Sequence, residues 1–136
     1  MSGPNYILDK GYNLSNSGAL QDIYRWMKFA ADENKVTQVT AVTDKPIGVC
    51  QQRVDAADSA TGNVQVDVRI MGISKVESAA AVALMDFVAP SANGRAQTAV
   101  ATQFAQGIAL QAATAAGQWI DVLLLPYCRS TAMGTA

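Results

Sequence analysis

The chain has no histidine among its 136 residues. That excludes Ser-His-Asp and Cys-His nucleophile activation, acid–base work by imidazole and every histidine-ligated metal site. Cysteine is nearly as scarce. Cys50 and Cys128 are too few for a disulfide framework and have no metal-ligand spacing. Cys50 lies in an apolar run and reads as a small buried hydrophobe, and a bridge to Cys128 is not expected in a reducing compartment. Charge is thin as well: 15% of the residues are charged, against roughly 25% in an ordinary soluble domain. Ten basic and eleven acidic side chains give a net charge of −1 with no Lys/Arg cluster. Sequence-independent nucleic-acid binding needs several phosphates neutralised together, so no nucleic-acid partner is expected. No apolar run reaches the about 18 residues of a membrane span, so no membrane partner is expected. The opening MSGPNYILDKGYNLSNSG lacks the basic start and apolar core of a signal peptide, which points to synthesis in a cytoplasm.

Half of the residues are apolar. With so few charges, either part of the surface is covered by neighbouring copies or an alanine excess inflates the count. The glycines form no phosphate cradle, neither Gly-x-Gly-x-x-Gly nor a P-loop, and no cofactor is implied. Asp55 and Asp58 are the closest acidic pair; they read as solvated turn residues, a calcium ligand pair being the other reading. Tyr24, Trp26, Phe29, Phe87, Phe104 and Trp119 read as core, with stacking on a sugar or base as the alternative. Nothing here builds a catalytic site, and a non-enzyme is expected.

What the chain does have is internal repetition. Met27 and Phe29 match Met85 and Phe87 at a spacing of 58 residues; Asn34, Gly48 and Gln52 match Asn93, Gly107 and Gln111 at 59. After a shorter bend, VDVRI (66–70) lies on IDVLL (120–124). Two copies are too few for a solenoid, which implies one domain of two related halves, about 27–70 and 85–124. Each half alternates short β-type runs with turn signals, of which Asn93-Gly94 is the strongest, so the fold expected is a small, mainly antiparallel β protein. Val66, Val68, Ile70, Ile120, Val122 and Leu124 should face the core, with Asp67 and Asp121 on the opposite face. Only ESAAAVALMD (77–86) has helical propensity, so at most one short helix is expected. The bend RVDAADSATGN should protrude as a loop.

Residues 1–20 carry Tyr6, Ile7, Leu8, Tyr12 and Leu14 ahead of the first repeat, punctuated by Gly and Asn. A free solvated tail is poor in such residues. They read as an extended N-terminal arm, ahead of a β domain over 21–126, that either folds back on its own domain or docks on a partner chain by strand addition, docking being the one expected. Residues 127–136 are small and polar after Pro126 and read as a frayed C-terminal tail.

Across about residues 5–125 the chain resembles the small capsid decoration (cement) proteins of tailed bacteriophages. Thr43, Asp44, Ile47, Gly48 and Val49 fit a T-D-x-x-I-G-V step. Val66, Val68, Arg69 and Gly72 fit a V-x-V-R-x-x-G strand, and Gly107 through Leu124 fit the closing G-I-A-L…I-x-V-L-L segment. The resemblance implies a compact, tulip-like β-barrel without cofactor or catalysis. It also implies a structural role on the exterior of a virion, bound to the major capsid protein and stabilising the shell, with copies joined as a trimer or a dimer. A β-rich module that binds carbohydrate or a host surface is the first alternative, and a histidine-free enzyme working through a carboxylate pair is the second.

Overall fold

The computed structural model describes residues 6–15, 18–30, 32–100 and 103–130, with side chains described for 8–15, 18–30, 32–100, 103 and 105–124. The strands in chain order are β1 (Tyr6–Leu14), β2 (Trp26–Phe29), β3 (Lys35–Gln38), β4 (Gly48–Cys50), β5 (Gln65–Glu77), β6 (Phe87–Pro90), β7 (Ala96–Thr98), β8 (Phe104–Ala109) and β9 (Trp119–Ser130). One four-residue helix, α1 (Ala56–Ser59), sits between β4 and β5. The strands join in the order β1-β3-β2-β4-β5-β9-β8-β6-β7, and β1 also pairs with β5. That extra pairing closes the first five strands into a barrel. β1 runs antiparallel to β5 from Asp9↔Arg69 to Asn13↔Gln65, and parallel to β3 at Asn13↔Lys35 and Leu14↔Val36.

The second half repeats this order around the same long strand. β5 pairs with β9, β9 with β8, β8 with β6 and β6 with β7. A parallel bridge between Ser78 and Ala96 then stands where Leu14 meets Val36 in the first half. β5 thus serves as a wall of both halves. Gly72 marks the change of partner, since β1 reaches it at Tyr6 and β9 begins there at Leu124. Its φ of 106° is open to glycine and strained for other residues, which lets the strand bend from one wall into the next.

The two cores correspond at six positions taken in chain order. The first gathers Met27, Val36, Cys50, Val54, Val66 and Val68 around Tyr12 and Leu14. The second gathers Val88, Ala96, Ala109, Ala113, Ile120 and Val122 around Val76 and Val82. Burial alternates along β5 and β9 as the strand period requires: Val66 and Val68 are buried around exposed Asp67, and Ile120 and Val122 flank half-buried Asp121. Leu124 is buried and Ile70 packs half-buried on the first core. The repeated Gln and Asp have a shared task. Gln52 Oε1 accepts the Asp67 backbone N–H at 2.8 Å, and Gln111 Oε1 accepts that of Asp121 at 2.8 Å. Each glutamine thereby satisfies an outward-facing amide that the ladder leaves open.

Several expectations are corrected. The segment read as an arm is strand β1, and the first barrel closes through it, because Tyr12 and Leu14 fill its core. β9 runs to Ser130, so the expected tail begins in a strand; residues 131–136 lie outside the described residues. Residues 77–86 form no helix. Val82 is held by paired backbone bonds to Ala113, 2.9 Å each way, and Met85 has a φ of 70°, so tertiary pairing overrides propensity. The short helix falls instead in the bend expected to protrude as a loop. The match of Met27 and Phe29 to Met85 and Phe87 is three residues out of step. Met27 pairs with Gly48 and Val88 with Gly107, so Val88 is the counterpart of Met27, and Phe87 that of Trp26. Tyr24 and Met85, at φ 61° and 70°, fall into line with that register; their N–H groups bond Cys50 O and Ala109 O at 2.9 and 2.8 Å.

The Thr-Asp-x-x-Ile-Gly-Val step has a structural reason. Asp44 accepts from the amides of Thr40 and Ala41, both at 3.0 Å, and pairs with Lys28 of β2 at 2.7 Å. Burial raises the Asp44 carboxyl, but the Lys28 bond and the two amides outweigh it and hold its pKa below the ordinary 3.8. A lowered carboxylate contributes stability that is full above its unfolded value and lost as pH falls through the folded one. Asp44→Asn is therefore expected to be less stable than the parent at neutral pH. Urea unfolding should show that gap closing as the pH drops below 3.8.

Candidate interaction surface

The five residues assigned to partner binding are all on β1, which does not hold them on one exposed face. Tyr12 and Leu14 point into the first core and are buried. Leu8 is 44% exposed. The side chains of Tyr6 and Ile7 lie outside the described residues, although their backbone belongs to the strand.

The contact between the halves is built from charge and a turn. Arg25 is buried and pairs with Glu77 at 2.9 Å and Asp22 at 3.2 Å, while Arg95 pairs with the same Glu77 carboxylate. Arg25 Nη1 and Gln38 Nε2 both donate to Asn93 O, at 2.9 and 3.0 Å. Trp26 N–H donates to Gly94 O at 2.7 Å. The Asn-Gly turn between β6 and β7 is thus clasped onto the first half. Gly94 has a φ of +71°, and a Cβ there would come within 2.8 Å of Gln38 Cγ. Trp26, Val39 and Val49, on the outside of the first barrel, are buried in the second half's core cluster.

The outside of the second half carries apolar side chains at the surface. Phe87, Ile108, Leu123 and Ile73 are successive register partners across β6, β8, β9 and β5. Phe87 and Leu123 are 38% and 36% exposed, and Leu84 and Met85 beside them are more so. Periodicity held this signal: in WIDVLLL, Trp119, Asp121 and Leu123 share one face. Trp119, expected in the core with Trp26, is 53% exposed and meets Tyr24 edge-on at 4.9 Å. Beside them a cleft is lined by Tyr24, Gln51, Arg69, Ile73, Lys75 and Asp121. Phe29 is exposed against Tyr12, and the Phe104 side chain lies outside the described residues.

Among the described residues no group of three or more His, Cys, Asp or Glu gathers to hold a metal, and no helix is long and apolar enough to cross a membrane. Asp55 and Asp58 are exposed on the bend, with Arg53 at 3.6 Å from Asp55. Burial pushes the Cys50 thiol up to about 11, so it stays protonated. The Cys128 side chain, and with it any pairing to Cys50, lies outside the described residues.

No family model matches the chain, and no curated protein matches it. Among solved structures the chain is similar to the head fiber gp8.5 N base of bacteriophage phi29. The two superpose with a TM-score of 0.65 at 16% sequence identity, over 90% of this chain and 98% of that one. They share a fold.

Proposed function

We propose that the chain is a structural protein of a tailed-phage virion that binds the outer surface of the capsid and stabilises the shell. The observation that carries this reading is the shared fold with a phage head-fibre base over nearly the whole of both chains. The sequence resemblance to capsid decoration proteins points the same way, and so do the scarcity of charge and the apolar side chains left at the surface. In this reading the chain is not an enzyme and needs no cofactor. Its partners are the major capsid protein and other copies of itself, as a trimer or a dimer, on the virion exterior after synthesis in the host cytoplasm. Leu8 contacts the shell together with Tyr6 and Ile7 of the same strand, while Tyr12 and Leu14 act by seating that strand in the barrel. Purified chain is expected to cosediment saturably with heads of the phage that encodes it, stripped of their own decoration, and to raise the temperature at which those heads break. Leu8→Glu should weaken that binding without lowering the protein's own thermal midpoint. A chain that stays in the supernatant at all concentrations would overturn the reading.

The exposed Trp119 favours a second reading, a carbohydrate- or host-surface-binding module. An aromatic face beside polar side chains suits a sugar ring. Glycan-array binding abolished by Trp119→Ala would select it over the first.

A further inference from the structure

The contact between the two halves is one-directional. The hairpin end of the second half, Asn93 and Gly94, sits on the first half at Arg25, Trp26 and Gln38. The corresponding turn of the first half, Asp32 to Lys35, is exposed, and Phe29 at its base is 44% exposed. A head-to-tail contact between like modules always leaves one donor end and one acceptor face at the extremities, and repeating it builds rings or open chains.

The acceptor face can be identified by register. Trp26 pairs with Val49 as Phe87 pairs with Ile108, and Val39 N–H bonds Trp26 O at 3.0 Å as Ala99 N–H bonds Phe87 O at 2.9 Å. Trp26, Val39 and Val49 are at most 1% exposed because the second half covers them. Their counterparts Phe87, Ala99 and Ile108 are exposed or half-buried, with Leu123 alongside.

We infer that a second copy of this chain docks its β2–β3 hairpin end, Phe29 and the turn after it, on the Phe87–Ile108–Leu123 face of the first. This specifies the self-association in the reading above and does not rest on the shell, so its failure and that of capsid binding are separate results. The clasp differs from the internal one. Asp86 and Thr98 stand where Arg25 and Gln38 grip the Asn93 carbonyl, and they bond each other at 3.1 Å. The contact between copies therefore rests on apolar burial and is weaker and reversible.

The test is complementation in analytical ultracentrifugation of the full chain. The parent should gain mass with concentration. Phe87→Glu removes the acceptor and Phe29→Glu the donor, so each alone should remain monomeric with an unchanged circular dichroism spectrum. Mixed, they retain one intact donor and one intact acceptor and should form a heterodimer of twice the monomer mass, and nothing larger. Leu123→Glu and Asn34→Glu put a charge on the same two surfaces should either first variant unfold. A parent that stays monomeric, single variants that associate like the parent, or a mixture that stays monomeric would each overturn the inference. So would an acceptor variant that loses capsid binding while its self-association is intact.

Discussion

Gly48→Ala and Gly107→Ala are each expected to destabilise the protein by about 3 kcal/mol, the upper end of what forcing extra atoms into a packed site costs. Both glycines are buried where a short strand crosses a long one. A Cβ at Gly48 would collide with Arg69 O of β5 and come within 2.8 Å of Val68 Cγ1. A Cβ at Gly107 would lie 2.5 Å from Val122 Cγ1 and 2.8 Å from Leu123 O of β9. Side chains can rotate away, but the two carbonyls belong to the sheet and move only if the strands part. Gly62→Ala is the control. Its φ is +74° with nothing within 4 Å of an added Cβ, so it should cost only the backbone strain, about 1 kcal/mol. Urea midpoints for the three variants give the comparison, and equal losses at all three would contradict the close strand approach.

Removing residues 1–14 is expected to abolish cooperative folding of the first half. The deletion opens the barrel at β1–β5 and β1–β3 and takes Tyr12 and Leu14 out of the core. Two buried large side chains contribute roughly 3 to 6 kcal/mol together, and the exposed amides of β3 and β5 add to the loss. Since domains of this size are stable by only about 5 to 15 kcal/mol, the truncated chain should lose most of its β signal in circular dichroism. Point variants separate seat from surface. Leu14→Ala should cost about 3 kcal/mol, whereas Leu8→Ala should change stability by less than about 0.5 kcal/mol. A truncated chain that keeps the parent spectrum and midpoint would return β1 to the status of a free arm.

What could be read from the sequence was what repeats locally. Gly48 with Gly107, Gln52 with Gln111, and Val66-Asp67-Val68 with Ile120-Asp121-Val122 are matched in the letters and in space. Period-two alternation places their side chains without further knowledge. The Met-x-Phe match failed because residue identity was aligned where only register is shared, and no letter marks Tyr24 and Met85 as positive-φ positions. β1 was illegible for another reason. Its partners are β5 and, in parallel, β3, distant in the chain, and its counterpart in the second half, the end of β5, shares its place but not its letters, so it looks like a tail. Trp26 and Trp119 each open a strand, yet one is buried because the second half lies on it and the other faces outward. Only the packing of half on half separates them.

The most direct test of capsid decoration is to image phage heads by electron cryo-microscopy with and without this chain. The expected result is added density on the outer surface at regular lattice positions, divided into two adjoining lobes per copy, with copies touching through the Phe87 face. Heads identical in the two preparations, or density confined to the interior or the tail, would contradict it.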